Sequence, residues 1–304
     1  MNYFDLHCDL IYRMVTESQG ICNNNFNIDF SRIKNKDLFI ICCAIWIPDE
    51  IPDEKISEFF ETCKNKFFSE CEKNNINIYR NLDKKSKISS GVILTVESSR
   101  VIKRDLNIVK YLRDIGVKII TMTWNGRTES GDGVEVENPR GLTEFGKKLV
   151  RELEKNKIII DLSHSSEKLF YDIIEFANRP VILTHSNSKD ICSHRRNITK
   201  DQFEAIKKQT DGLIGINFYK EFLSNNKNPG FDDIYRHVDY FLSMGGEDII
   251  SIGSDFDGCE VIDELKSIEL TENLYNYFLT KNYKENILSK IFFDNSYNFC
   301  VKYF

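Results

Sequence analysis

The chain of 304 residues carries 41 Lys and Arg against 47 Asp and Glu, a formal charge of −6, with 41% hydrophobic and 29% charged residues. That length sustains one large hydrophobic core and excludes a small disulfide-stapled scaffold. Charges of both signs are interspersed, without the concentrated positive face that tracks phosphates, so the expected partner is a small molecule and not a nucleic acid.

No apolar run approaches the roughly 20 residues of a membrane helix, and the first residues lack the basic-then-apolar start of a signal peptide. We therefore expect no membrane partner and a cytoplasmic location. Nine cysteines are scattered without a Cys-x-x-Cys pair and read as reduced, buried thiols.

In chain order, short and nearly continuous apolar runs recur at residues 3–8, 38–46, 91–96, 117–124, 157–163, 180–185, 212–218 and 249–254. Such runs are expected of strands buried on both faces of a parallel sheet. Helical spacing separates them. Ile56, Phe59, Phe60, Cys63 and Phe67 form one stripe, and Thr199 with Gln202 has capping-box spacing ahead of Phe203 and Ile206. Residues 145–153, 167–176 and 231–242 read as helices too. The polar stretches 23–27 and 224–229 read as loops. Eight alternating units predict an α/β fold, a (β/α)8 TIM-type barrel, over a doubly wound open sheet, because no glycine-rich phosphate turn follows the first strand. No repeat or linker divides the chain, which reads as a single domain over 1–304.

In such a barrel the C-terminal strand ends meet on one face. The unusual polar residues fall there. The first strand ends in His7-Cys8-Asp9, and alternation puts His7 and Asp9 on one side with Cys8 on the other. Taken alone, this is also the pattern of a helix-capping Asp beside a hydrogen-bonded His. Glu97 follows the third run. His164 closes Asp161-Leu162-Ser163-His164, His185 closes the sixth run, and Asp255 lies in Gly253-Ser254-Asp255-Phe256-Asp257-Gly258, where Asp257 before Gly258 is a turn residue. Three carboxylates in one mouth repel unless cations neutralise them. Imidazoles with carboxylates suit Zn²⁺ or a similar divalent ion, and Glu97 can bridge two of them.

At these residues, with Thr184-His185-Ser186 and Arg195-Arg196-Asn197 in the same order, the sequence resembles the membrane (renal) dipeptidase family from His7 to at least Gly258. The resemblance implies a metallo-dipeptidase with two Zn²⁺ or similar ions. It makes His7 and Asp9 ligands of one ion, His164 and His185 of the other, Glu97 the bridge, and Asp255 the acid/base. Arg196 would bind the carboxylate of a dipeptide substrate, L,D-dipeptides included, and Arg195 would be structural. The resemblance also admits a homodimer. One departure stands out: where better-known members carry a histidine that steadies the tetrahedral intermediate, this chain has Thr123-Trp124-Asn125. An indole N–H donates one hydrogen bond and carries no charge, so Trp124 reads as pocket wall and Asn125 as a further amide donor for substrate. Asn217-Phe218-Tyr219 at the end of the seventh run also faces the mouth, with Tyr219 a pocket candidate; His194 receives no ligand role and is placed in the substrate loop or in solvent, and His237 reads as a packed or capping residue. The competing functions are another amidohydrolase, such as an N-acyl amino acid deacylase or lactamase-like enzyme, and a metal-binding barrel that has lost turnover. The Phe- and Tyr-rich tail from 271 to 304 is expected either to cover the barrel base or to form a contact.

Overall fold

The apolar runs become strands because each is buried on both sides, and all of them pair in parallel. The computed structural model describes residues 1–304 except 35, 84–87 and 227. The strands are β1 (Tyr3–Cys8), β2 (Phe39–Trp46), β3 (Asn77–Ile78), β4 (Gly91–Glu97), β5 (Ile119–Thr121), β6 (Ile159–Asp161), β7 (Ile182–Leu183), β8 (Leu213–Ile216) and β9 (Ile250–Ile252). Their order is β2-β1-β9-β8-β7-β6-β5-β4-β3, and β2 also pairs with β4 from Ile40↔Gly91 to Trp46↔Glu97. That last ladder closes eight strands into a barrel and leaves β3 outside it, on the flank of β4. The fold is the expected (β/α)8 barrel. β3 was not foreseen, since two residues show no periodicity.

Helices of the expected kind cover the outside. Ile56–Asn74 buries Ile56, Phe60, Cys63 and Phe67, and Glu144–Lys155, Glu167–Phe176 and Phe231–Ser243 occupy the other predicted segments. The capping box forms as spaced: Thr199 Oγ1 accepts the Gln202 N–H at 3.2 Å, and Gln202 Oε1 accepts the Thr199 N–H at 2.9 Å. Residues 23–27 are loop; in 224–229, Lys227 lies outside the described residues. All nine cysteines are free thiols, seven of them buried. No helix among the described residues is long and apolar enough to cross a membrane.

Period-two alternation sorts the strands into two cores. Val92, Leu94 and Val96 join the outer, helix-facing cluster, whereas Ile93 joins an inner one with Phe4, Leu6, Ile40, Ile119, Ile159, Ile182 and Leu213. The inner cluster also contains Phe293, Phe299 and Cys300, so the tail plugs the barrel base. Asn295 secures it through its amide, which donates to the carbonyls of Glu247 at 2.9 Å and Ile250 at 2.7 Å.

The inner columns turn polar toward the other end. On β4 the column runs Ile93, Thr95, Glu97, on β6 Ile159 then Asp161, and beyond β7 Ile182 leads to Thr184. Strand β9 comes close here through Gly253, where a Cβ would lie 1.7 Å from the Thr184 carbonyl oxygen. Simple alternation fails in β1, because the register with β2 shifts between Asp5 and Cys8. Leu6 faces the inner cluster while Cys8, two residues on, joins the outer one. The irregularity therefore re-aims His7 at the mouth, as a bulge beside a site commonly does.

Candidate metal centre

Six side chains from five strand ends converge at this mouth. His7 Nε2 lies 3.5 Å from Asp9 Oδ2, 3.5 Å from Glu97 Oε2 and 3.9 Å from Asp255 Oδ1. The other oxygen of Glu97, Oε1, lies 2.9 Å from His164 Nε2 and 3.9 Å from His185 Nε2. Glu97 thus stands between two groups, one oxygen to each. His7, Asp9, Glu97, His164 and His185 are each less than a tenth exposed. His164 and Asp255 hold φ of 67° and 62°, a left-handed conformation that costs a non-glycine residue energy and is kept where the surroundings impose it.

The neighbours of the two later histidines fix which nitrogen is bare. Asp161 Oδ2 accepts the hydroxyls of Thr121 and Thr184, each at 2.7 Å, and Oδ1 accepts the N–H groups of Ser163 and Thr184. With its hydrogen given to Asp161, Thr184 Oγ1 accepts from His185 Nδ1 at 2.8 Å. His164 Nδ1 donates to Asn125 Oδ1 at 2.8 Å. Both rings therefore point Nε2 lone pairs into the centre, and those atoms lie 2.9 Å apart. Facing lone pairs repel unless a cation lies between them.

His7 Nε2, Asp9 Oδ1 and Glu97 Oε1 are buried without hydrogen-bond partners, an arrangement that costs about 1–3 kcal/mol per group unless something coordinates them. Ligand atoms ~2.1 Å from a tetrahedral ion lie ~3.4 Å apart, within the range of spacings found here. The donor set fits a divalent ion: the triplets His7–Glu97–His185 and His7–Asp9–Asp255 are each close enough to hold one, and they have His7 in common. Asp255 thereby stands within ligand reach as well as at the mouth.

Electrostatics point the same way. Burial pushes the Glu97 carboxyl up to about 7 although His7 opposes it, and burial also raises Asp255. Burial disfavours the charged form of His7, but Glu97 and Asp9 outweigh it and hold that imidazole well above its ordinary value. His164 and His185 are driven well below theirs by burial and, beyond that, by Arg196 and His7. These two rings are neutral, as metal ligands must be.

A cavity of about 350 Å³ opens over the centre, walled by Trp46, Trp124, Asn125, Arg196, Tyr219 and Asp255 among others. Trp124 meets Trp46 edge to face with centroids 4.9 Å apart, and Trp46 meets Tyr12 at 4.8 Å. Arg196 is buried. Its Nη2 donates to the His185 carbonyl at 3.4 Å, its Nε has no partner, and among the described residues no carboxylate pairs with it. A second cavity of about 390 Å³ meets the first at Glu135, His164 and Arg196, and Arg195 lies on its wall. A larger hollow of about 700 Å³ lies elsewhere and contains none of the converging residues; of its arginines, Arg100 is tied to Asp53, and Arg127 and Arg140 to Asp132.

All the residues expected at the site lie at or around this cavity. Asn125, read from sequence as a donor to substrate, has its carbonyl oxygen engaged with His164 while its residue lines the pocket. His194 is half-buried on the pocket wall beside Phe222. His237 is buried away from the centre, where its Nδ1 accepts the Ser188 N–H and its Nε2 faces the Leu223 carbonyl, each at 3.0 Å. The sequence assigns no supporting role to Asp161, Thr184 or Asn187; it places Asn217 facing the mouth, as the next inward position after Leu213 and Gly215 on β8 bears out, but gives it no role.

The sequence profile of the family described as "Membrane dipeptidase (Peptidase family M19)" matches residues 1–300. A Klebsiella pneumoniae protein described as "Uncharacterized protein in pqqA 5'region" is 35% identical over 190 residues, 59% of this chain and 70% of that protein. An uncharacterized dipeptidase of Schizosaccharomyces pombe is 28% identical over 200 residues, 63% of this chain and 46% of that protein. Among solved structures, a metallopeptidase from Rhodobacter sphaeroides liganded with a phosphinate mimic of the dipeptide L-Ala-D-Ala superposes with a TM-score of 0.90 at 22% identity, covering 100% of this chain and 99% of that one. The probable dipeptidase PvdM from Pseudomonas aeruginosa gives 0.89 at 15% identity, over 99% and 95%. These two structures share the fold. With the profile spanning nearly every residue and the Klebsiella relative above 30% identity, the chain belongs to the membrane dipeptidase family.

Proposed function

We propose that this chain hydrolyses dipeptides, with His7, Asp9, Glu97, His164 and His185 holding two zinc or similar divalent ions. When bound, such ions would supply Lewis acidity and bring the pKa of a water down to roughly 7. The chain's own residues do the rest. Buried Arg196, paired with no carboxylate among the described residues, anchors the substrate's free carboxylate, a bidentate task suited to a guanidinium. That anchor sets the scissile carbonyl over the centre and limits substrate length. Trp46 and Trp124 form an apolar wall that keeps water from the flank. Asp255 takes a proton from the attacking water as its oxygen bonds to the carbonyl carbon, then passes that proton to the nitrogen as the C–N bond breaks. No covalent enzyme intermediate is required.

The observation that carries the reading is Glu97, whose two oxygens face separate groups of ligand atoms, in a chain of this family. The L-Ala-D-Ala mimic bound by the Rhodobacter protein favours including L,D-dipeptides among the substrates. The test is a panel of L,L- and L,D-dipeptides with zinc-loaded protein, with amino acid release measured before and after chelation. Release that chelator abolishes and zinc restores supports the reading. Cleavage of N-acyl amino acids or lactams without any dipeptide, or metal binding without turnover, overturns it.

A further inference from the structure

Behind Asp255 lies a hydrogen-bonded support that the family ligand set does not include. Asn217 is fully buried just past β8. Its Nδ2 donates to Asp255 Oδ2 at 2.9 Å, and its Oδ1 accepts the backbone N–H of Tyr219 at 2.6 Å. A backbone N–H only donates, so the amide cannot turn over without setting donor against donor. Asn187 clasps the same residue from the β7 side: its Oδ1 accepts the Asn217 N–H at 3.0 Å, and its Nδ2 donates to the Asn217 carbonyl at 2.9 Å. Asn187 thus holds the Asn217 backbone with two hydrogen bonds, and the Tyr219 N–H orients the side-chain amide toward Asp255.

The other oxygen of Asp255 faces the opposite way. Oδ1 lies 3.9 Å from His7 Nε2, and it passes over Gly258, where a Cβ would come within 2.9 Å of it and 2.0 Å of Asp9 Oδ2. Only glycine leaves both carboxylates in place. With the Asp255 backbone already held at φ 62°, rotation of its side chain is the freedom that remains.

We infer that Asn217, clasped by Asn187, is a positioning residue that anchors Asp255 Oδ2 and so leaves Oδ1 as the oxygen presented to the reaction centre. A carboxylate free to swing would spend part of its time with neither oxygen aimed, which lowers turnover without loosening substrate. This inference rests on the acid/base role given to Asp255 above.

The experiment compares zinc-loaded wild type, Asn217→Ala, Asp255→Asn and the double variant, and adds a crystal structure of zinc-loaded Asn217→Ala. The expected result is a kcat lower by about 10- to 100-fold in Asn217→Ala, the usual loss for an outer-shell partner, with KM within about threefold and zinc content unchanged. In the Asp255→Asn background the same substitution costs less than about twofold, because the residue it acts through is already disabled. In the crystal the Asp255 carboxylate is turned or spread over several orientations. Additive losses, or an Asp255 side chain unmoved in the Asn217→Ala crystal, overturn the inference. Should Asn217→Ala not fold, Asn187→Ala leaves the Asn217 amide present but unclasped and carries the same expectations. If the wild type cleaves no dipeptide, the proposed function fails, while the orientation of Asp255 in the crystal still decides the role of Asn217.

Discussion

The two ends of the barrel are closed by opposite chemistry. At the base, Phe293 and Phe299 from the tail complete an apolar cluster with Phe4, Leu6, Ile93 and Ile159. At the mouth, three carboxylates and three imidazoles are packed together with several atoms left unpartnered. The same inward columns build both, passing from Ile93 through Thr95 to Glu97 and from Ile159 to Asp161. Between them Asp161 has both carboxylate oxygens hydrogen-bonded, by the hydroxyls of Thr121 and Thr184 and the N–H groups of Ser163 and Thr184. The comparison teaches that stability is concentrated at one end of the sheet so that the other can hold groups whose burial costs energy. Changes at the two ends should accordingly be separable.

The largest effect is expected at the mouth. Asp255→Asn keeps the shape and the contact with Asn217 but removes the base, so kcat should fall by about 10²- to 10⁴-fold. Zinc content by elemental analysis and the urea midpoint should stay close to wild type. An equal fall in zinc content would assign Asp255 chiefly to metal binding. The converse change at the base is Phe299→Ala, which should cost about 3–5 kcal/mol of stability, read from urea unfolding, while the folded fraction keeps its kcat. A matching loss of kcat would show that the plug and the mouth are mechanically coupled.

A smaller and pH-dependent effect comes from His237, which joins the mouth to the outer helices. Burial lowers its pKa to about 4, only partly offset by the Leu223 carbonyl and Asp233. Above about 6.5 the ring is neutral in both folded and unfolded chains. As pH falls from there, the unfolded chain takes up a proton that the folded chain refuses, so stability declines until about pH 4 and changes no further on this account below it. The total is on the order of 3 kcal/mol. In His237→Gln, the slope of unfolding free energy against pH between 6.5 and 4 should drop by close to one proton. An unchanged slope would mean that the ring titrates alike in both states.

The comparison also explains what the sequence could and could not tell. Strands announced themselves because both of their faces are buried, and Glu97 stood out as a charge at the end of such a run. The predicted runs 117–124 and 180–185 overshoot β5 and β7, since past Thr121 and Leu183 the chain leaves the ladder and its side chains turn to the mouth. The partner of His164 is Asn125, 39 residues away, and the clasp on Asn217 comes from Asn187, 30 residues away. Such pairings exist only once the barrel has closed. Alternation alone put His7 and Cys8 on opposite sides, yet the shift that carries β1 from an inward Leu6 to an inward His7 depends on register with β2 and left no mark in the local pattern.

The smallest expected effect concerns the residue by which this chain departs from the better-known members of its family. Trp124 is edge to face with Trp46 and 6.2 Å from the His164 ring, so it acts as part of an aromatic wall and not as an isolated replacement. Trp124→His would exchange that packing for an imidazole over the cavity. Losing one aromatic pair costs about 0.5–1.5 kcal/mol beyond the buried area, a modest shift in the urea midpoint. If an imidazole there steadies the developing oxyanion, kcat rises or holds despite the damaged wall. If the wall is what matters, KM rises severalfold for dipeptides with a bulky apolar side chain and stays level for small ones. Measuring kcat and KM separately on Ala-Ala and a Phe-containing dipeptide distinguishes the two, because an oxyanion contact is made only in the transition state, whereas a wall contact is felt equally by bound substrate.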